Sequence, residues 1–553
     1  MVISNDFLNF KKLKNLLDWK LLLFLVLFLN VKLAVKIPAI VVIYLLQFNF
    51  KFGFSLKNSR LPLFYLLAIA IAILNWLIGN NYGNINYNIV LLTGIGFWVL
   101  CILAMHQVKL SVDNNDTETI HRTIIVFFIL NALLSFFNLA VIAFETGSIN
   151  PYTYQGQYQK YFLGTGDYIK GLTFDTSTTN AVLNAFGVIY FLTKKNTAML
   201  FVCMTVMLLT GSNFTNLVLL IVLVILFVFR TSRNQKSLIV ICLVFLVVFL
   251  AKISPQNETY VTENFKRAFH LNVKNKAVPV PVRPKLFLPI TLMPDSLLNA
   301  DQKKWKIAQR YIDSMYVVAN PQQVAKKIQQ PAQTVLETQN GRVYVPQPNI
   351  NSMPYQHVID TSYYQKRLLS FISTHKASLP LSGRDNFKLQ LPGKIVGWLQ
   401  TINFLHQHPL KIITGDGMGN FSSKLALRAS GLGFSGGYPQ KYIYMNPDFL
   451  SNHLDVYLNF FSKKTDIHSI SNNPDSVYDQ LLAEYGLLGL AAFLLYYLGF
   501  FLKQYKQLTY GLPILLIALG VFFIDYWFEK LSILLFFELL LLLNIKETST
   551  KKY

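Results

Sequence analysis

The sequence predicts an all-α polytopic membrane protein, with about twelve transmembrane helices and one large extracytoplasmic insert before the last three. Three observations carry this. The chain has 553 residues, is 53% hydrophobic with 44 Phe, and has a mean hydropathy of +0.39. Its long apolar runs recur near the ~20 residues needed to cross a bilayer. Its Lys and Arg gather in alternate short loops. A soluble chain of this length would instead divide into several domains with polar surfaces.

The first expected spans, Leu21–Val31 and Ile37–Phe50, are short enough to form a tight hairpin. Further spans are expected at Leu61–Leu77, Ile89–Met105, Thr123–Phe144, Asn180–Leu192, Thr197–Leu209, Leu217–Phe229 and Ser237–Ala251, closing a bundle over residues 1–253. Residues 254–474 form the insert, and residues 475–553 hold the last spans, Leu481–Leu502, Leu512–Phe528 and Leu531–Leu543. The first apolar run follows Phe10-Lys11-Lys12-Leu13-Lys14 and leads into the second without a small-residue cleavage site, so no cleavable signal peptide is expected.

Orientation follows from the basic loops. Lys11, Lys12, Lys14, Lys51, Lys57, Arg60, Lys194, Lys195, Arg230, Arg233, Lys236, Lys503, Lys506, Lys551 and Lys552 fall on one side. The alternate loops Gly79–Asn88 and Gly211–Asn216 carry no charge. The positive-inside rule then makes both termini cytoplasmic and the insert extracytoplasmic. The insert holds 25 Lys and Arg against 12 Asp and Glu from Ser254 to Asn473, a balance that draws phosphates or anionic headgroups. Part of the net charge of +23 is thus topological, and it does not indicate nucleic acid. Within the insert, Asp301–Gln330 has helical spacing and the Pro-rich Val278–Pro294 reads as extended. Cys101, Cys203 and Cys242 all lie in apolar runs, which excludes a disulfide framework and leaves no cysteine metal site. No metal or other cofactor is expected, because no two of the nine histidines show a convincing ligand spacing.

Polar groups concentrate near the outward ends of spans. Asp475-Ser-Val-Tyr478-Asp-Gln480-Leu-Leu-Ala-Glu484-Tyr-Gly486-Leu-Leu-Gly489 opens the tenth span. Lys170-Gly-Leu-Thr-Phe-Asp175 leads into another, where a lysine at a helix N-terminus can hold a phosphate and where a simple cap reads the same way. Thr210-Gly-Ser212 forms a turn between two spans. In the insert, Ser382-Gly-Arg384-Asp offers a guanidinium for bidentate phosphate contact. Gly415-Asp-Gly417-Met-Gly419-Asn-Phe421 offers glycines for close approach of backbone to a ligand, with Arg428 a weaker cation nearby. His453 and His468 precede the opening segment, and an imidazole there can serve as a general base. Tyr152, Tyr154, Tyr158 and Tyr161 suit either sugar stacking or the interfacial aromatic belt.

In order, the Gly-Leu-Thr-Phe-Asp stretch at Gly171, the Leu-Thr-Gly-Ser turn at Thr210, the Gly-Arg to Trp to Pro-Leu to glycine-rich run from Gly383 to Phe421, and Leu-Leu-Ala-Glu-Tyr-Gly-Leu-Leu-Gly from Leu481 resemble the O-antigen polymerase and O-antigen ligase superfamily of bacterial envelope glycosyltransferases. The resemblance runs from about Leu163 to the C-terminus, and Ser254–Leu379 has no counterpart in it. It implies an inner-membrane enzyme that moves a glycan from undecaprenyl pyrophosphate to a sugar hydroxyl with inversion, needing no cofactor, metal or nucleotide sugar. Asp475, His453 or His468 would be the base, and Arg384, Lys170 and Arg428 would hold the pyrophosphate. Glu484, Tyr478, Gln480, Gly417, Gly419, Thr210 and Ser212 would bind substrate or support the site. Partners would be the lipid-linked oligosaccharide, membrane lipids and a chain-length regulator, with no nucleic acid.

Ligase-like members carry a histidine where this chain has Asp475, and an arginine where it has Lys170 and Asn213. Loss of that histidine favours a polymerase joining lipid-linked repeat units over a ligase that transfers to lipid A core. A lipid-oligosaccharide transporter would show two similar halves, whereas this chain is lopsided about its insert. A non-catalytic chain-length regulator would show two spans and sustained heptads, which are absent.

Overall fold

A computed structural model describes residues 16–27, 33–56, 58–79, 81–147, 149–153, 165–229, 231–254, 294–298, 306, 337–339, 342–344, 370–371, 374, 392–432, 438–454, 456–457, 473–506 and 508–550. Each apolar run expected to span carries a helix among its described residues. The helices are α1 (Trp19–Leu27), α2 (Leu33–Gln47), α3 (Phe64–Ile78), α4 (Ile85–Asn114), α5 (Thr117–Thr146), α6 (Ser177–Lys194), α7 (Thr197–Leu209), α8 (Asn213–Phe229) and α9 (Arg233–Val248), the last running into a wider turn to Ile253. Among the described residues of the insert are a small hairpin, Glu337–Gln339 with Arg342–Tyr344, and α10 (Gly393–Gln407), α11 (Lys411–Thr414), α12 (Lys424–Ala429) and α13 (Pro447–Asn452). The last block is α14 (Val477–Ala492, continuing to Leu502), α15 (Gly511–Val521), α16 (Trp527–Lys530) and α17 (Ser532–Thr550). Asp301–Gln330 and Val278–Pro294, expected helical and extended, lie almost wholly outside the described residues.

Among the described helices, four are long and apolar enough to cross a membrane: Ile85–Asn114, Thr117–Thr146, Arg233–Ile253 and Val477–Leu502. Five shorter ones, Val35–Gln47, Phe64–Ile78, Thr197–Leu209, Asn213–Phe229 and Gly511–Val521, are also apolar. The expected Leu512–Phe528 span is the one that breaks: α15 stops at Val521, and a turn precedes α16. A helix that is apolar all round must be covered on every side. Accordingly α6 is buried from Thr179 to Leu192 and α17 from Ser532 to Asn544. At the periphery, α8 and α9 expose Leu217, Ile221, Phe229, Val244 and Val247, as a surface meeting lipid would. Inside the bundle the Glu538 carboxylate accepts from the hydroxyls of Tyr65 and Tyr497.

The basic loops expected on one side do meet at one end of the bundle. Arg60 pairs with Asp113 at 2.8 Å, Lys194 with Glu547 at 2.5 Å, and Lys546 donates to the carbonyls of Val112 and Asn115 at 2.6 Å each. Gln235 donates to the Leu192 carbonyl at that same end. The opposite end collects Asn75 on the Thr414 carbonyl, Asn86 on that of Ile443, and Tyr152 on that of Leu209. The described helices of the insert pack there.

Candidate functional site

The segment opening α14 and the glycine-rich loop before α12 form a single joint. Backbone N–H groups of Asp416 and Gly417 donate to the carbonyls of Ala483 and Glu484, at 2.8 and 3.1 Å. The Glu484 carboxylate accepts from the N–H groups of Gly419 (2.8 Å) and Phe421 (3.2 Å). Glu484 is therefore a buried acceptor that fixes the loop. Gly417 and Gly419 were expected to admit a ligand, but they admit neighbouring side chains. A Cβ on Gly417 would lie 3.0 Å from the Tyr87 hydroxyl, and one on Gly419 2.5 Å from Val90 Cγ1, both on α4. Lys411 closes the joint on its outer side, pairing with Asp416 at 2.5 Å and Asp448 at 2.8 Å. Burial pushes the Asp416 carboxyl up to about 7, against the pull of Lys411.

Beside this joint lies a dense group of charges. Asp475, half-buried just ahead of α14, accepts from Asn473 Nδ2 at 2.8 Å and from the Tyr457 hydroxyl at 3.3 Å. Lys394, buried on α10, donates to the carbonyls of Asp475 and Ile524. Lys530 pairs with Asp525 and lies 3.9 Å from Asp175. Gln480 donates to Glu529 at 2.6 Å. Lys424 and Arg428, both on α12, stand within charge range of Glu529, and Lys424 also faces Asp525 and Asp175. The described cluster thus unites Asp175, Asp475, Asp479, Asp525 and Glu529 with Lys394, Lys424, Arg428 and Lys530. Burial raises the Asp475 carboxyl above the ordinary range and Asp525 raises it further, while Lys394, Asn473 and Lys530 pull it down. Burial also draws the Lys394 amine down to about 8.

The predicted site residues divide. Asp475, Gln480 and Arg428 enter this cluster, and Arg428 Nε is buried with no hydrogen-bond partner among the described residues. His453 sits close by with no accessible surface, its ring 5.3 Å from that of Phe421 and 5.5 Å from that of Tyr457. Neither of its nitrogens has a partner among the described residues, and burial draws its pKa down to about 3. Its imidazole is neutral and packed among aromatic rings, with no accessible surface. Tyr478 spends its hydroxyl on the Leu519 carbonyl at 2.7 Å and packs on Phe493 and Phe522. Thr210 and Ser212 finish α7 and begin α8, through Thr210 Oγ1 on the Met207 carbonyl and Ser212 Oγ at 2.9 Å from Thr215 Oγ1, apart from the charges. The Lys170 carbonyl accepts from Thr173, yet no hydrogen bond or ion pair ties its ammonium to the cluster; Asp175 is the residue of that motif which joins it. Arg384 and His468 lie outside the described residues.

The sequence reading passed over Lys394, Ser422, Lys424, Tyr457, Asp479, Asp525, Tyr526, Glu529 and Lys530. One available signal was Asp525 inside an expected span, with Glu529 and Lys530 directly after it, since charges at membrane depth mark functional sites. Among the described residues, no three His, Cys, Asp or Glu side chains come together in a way that could hold a metal ion.

Fold and site together define a helical protein with membrane-length apolar helices and a mixed-charge cluster at one end of the bundle. No family model, curated protein or solved structure matches the chain.

Proposed function

We propose that the chain is a polysaccharide polymerase of the inner membrane, transferring glycan from undecaprenyl pyrophosphate to a sugar hydroxyl of another lipid-linked repeat unit at the outer face. The observation that carries this reading is Asp475: a half-buried carboxylate with a raised pKa, faced by Lys394 and Lys530, at the bundle end opposite the basic loops. Placing those loops in the cytoplasm leaves the cluster at the outward end, where a lipid-linked donor is found and nucleotide sugars are not.

Pyrophosphate is already a good leaving group, so the chemistry needs two things. One is a base for the acceptor hydroxyl, worth typically ~10²–10⁴-fold. The other is fixed positive charge where the departing phosphate gains negative charge. Asp475 fills the first role. Arg428 and Lys424 fill the second, together with Arg384 and Lys170 of the sequence motifs.

The test uses purified protein in liposomes, given undecaprenyl-pyrophosphate repeat units and no other acceptor. A ladder of lengthening lipid-linked glycans is expected, and Asp475→Asn should abolish it while the protein stays folded and inserted. Near-normal ladders from Asp475→Asn would remove Asp475 from the mechanism. Transfer only after a lipid A core acceptor is added would make the protein a ligase, and no transfer under either condition would favour transport.

A further inference from the structure

Behind Asp475 a chain of three buried hydroxyls leads to a second carboxylate. The Tyr457 hydroxyl donates to Asp475 Oδ1 at 3.3 Å and lies 2.7 Å from the Tyr526 hydroxyl. Tyr526 is 3.2 Å from Ser422 Oγ, which donates to Asp479 Oδ2 at 2.7 Å. Ser422, Tyr526 and Asp479 have no accessible surface and Tyr457 has 1%. The other oxygen of Asp479, Oδ1, is buried with no hydrogen-bond partner among the described residues. The groups come from four separate parts of the chain, so their alignment is a tertiary arrangement.

A buried acid needs hydrogen-bond partners, and two acids joined by an unbroken line of hydroxyls have a path for a proton. We propose that Tyr457, Tyr526 and Ser422 form a proton relay through which Asp475 and Asp479, both carboxylates at the start of the step, share the one proton taken from the acceptor. The role rests on Asp475 being the base of the glycosyl transfer proposed above, although the sharing itself does not. In the transfer step the acceptor O–H bond breaks and its proton goes to Asp475. The new C–O bond forms at the anomeric carbon, and the old bond breaks with its electron pair leaving on the pyrophosphate. Asp475 then gives a proton to Tyr457, Tyr457 gives one to Tyr526, Tyr526 to Ser422 and Ser422 to Asp479. No hydroxyl gains or loses a proton overall, and Asp475 returns to carboxylate before the product has left. The proton departs by the same path when water reaches half-buried Asp475.

Other charges bear on both ends. Lys394 on α10 faces both carboxylates, and Asp525, in the turn before α16, and Lys530, at the end of α16, face Asp475. Asn473 bonds Asp475, while Thr401 lies beside Asp479. His453 approaches Asp479 across Gly397, where an added Cβ would be 3.2 Å from His453 Cε1 and 3.8 Å from Asp479 Oδ2.

Tyr457, Tyr526 and Ser422 are positioning residues here, and the decisive variants remove single oxygens: Tyr526→Phe, Tyr457→Phe and Ser422→Ala, with Ser422→Thr restoring the hydroxyl. The first readout is infrared difference spectroscopy of the carboxyl C=O stretch against pH in reconstituted vesicles, with Asp475→Asn and Asp479→Asn assigning the bands. Sharing one proton spreads a pair's two macroscopic protonation steps apart. The wild type should show that spread, Tyr526→Phe should narrow it, and Ser422→Thr should keep it while Ser422→Ala does not. The second readout is the pH–rate profile of glycan transfer. Tyr526→Phe should lower kcat roughly tenfold with KM unchanged, a share of the ~10²–10⁴ that a general base supplies, and should shift the acid limb. Spectra of Tyr526→Phe and Tyr457→Phe that superimpose on the wild type overturn the relay whether or not glycan is transferred. Absence of transfer in the wild type, with the spectroscopic spread intact, sinks the proposed function and leaves the shared proton standing.

Discussion

The contact between Gly415 and Gly486 sets up a measurable coupling between the glycine-rich loop and α14. Gly486 has φ +65° and ψ −161° inside an otherwise helical segment, and Gly415 has φ +82° and ψ −174°, both in a region that only glycine occupies freely. A Cβ on Gly486 would sit 2.5 Å from Gly415 N, and one on Gly415 would sit 2.4 Å from the Glu484 carbonyl carbon. Gly486→Ala therefore incurs backbone strain of ~1–3 kcal/mol. It also pushes apart the two backbone hydrogen bonds at the joint, Asp416 N–H to Ala483 O and Gly417 N–H to Glu484 O. Counting ~1 kcal/mol for each hydrogen bond lost and ~1 kcal/mol for the strain, the low ends sum to about 3 kcal/mol for the single variant. Gly415→Ala has the same three components. In the double variant the two strain terms add while the hydrogen bonds are lost once, giving about 4 kcal/mol at the low end where additivity would give about 6. Unfolding of the purified protein in detergent, followed by α-helical circular dichroism for wild type, both singles and the double, measures the cycle. Singles that cost under about 1 kcal/mol, or a double that is additive, would show that the two motifs do not meet through these glycines.

Three further outcomes follow from the same geometry. Lys411→Met leaves buried Asp416 without its cation and should cost about 1–3 kcal/mol above pH 7, a figure reduced for the partial exposure of Lys411. A carboxyl raised to about 7 in the folded state favours folding at low pH and loses that contribution as pH rises through 7, so the deficit should shrink on acidification and vanish in Lys411→Met/Asp416→Asn; a pH-independent deficit in unfolding midpoints would refute it. Lys394, at about 8 when folded against 10.5 ordinarily, binds fewer protons in the folded than in the unfolded state between those values. Wild-type stability should therefore gain a contribution as pH rises from 8 to 10.5 that Lys394→Met lacks, and parallel midpoint curves would argue against it. His453→Phe keeps a ring among Phe421, Phe449 and Tyr457 and should retain glycan ladders within a few-fold of wild type; loss of ladders at unchanged thermal stability would return the imidazole to the chemistry.

The helices and the sidedness of their loops were legible because each depends on residues near in sequence. An apolar run stays helical wherever it is buried, and lysines such as Lys194 and Lys546 reach partners at their own end of the bundle. The interruption after Val521 was legible in principle, from Asp525, Glu529 and Lys530, yet hydropathy averaged over a window hides a charge beside Phe522, Phe523, Tyr526, Trp527 and Phe528. The structure gathers those charges into the cluster, with Val477 N–H donating to the Phe522 carbonyl at 2.9 Å. Pairings such as Ser422 with Asp479 or Tyr457 with Tyr526 join residues dozens of positions apart, and no periodicity encodes them. His453 illustrates the converse: its residue type suggested a base, but burial among aromatic rings decides its chemistry.

Charge arithmetic links the cluster to the insert. The described cluster holds five carboxylates and four cations, so it meets an anionic donor with no positive surplus of its own. A pyrophosphate entering it must bring in further cations, or protons on the carboxylates, because adding unpaired negative charge to a buried site is strongly opposed. The insert has such cations, with 25 basic residues against 12 acidic ones, and Arg384 stands in the motif that precedes α10. Cations are the route compatible with the relay, because Asp479 must stay a carboxylate to take the proton that Asp475 removes from the acceptor. On the proposed reading, cations of the insert therefore meet the charge of the donor, and the carboxylate pair is left free to take the proton released by the acceptor.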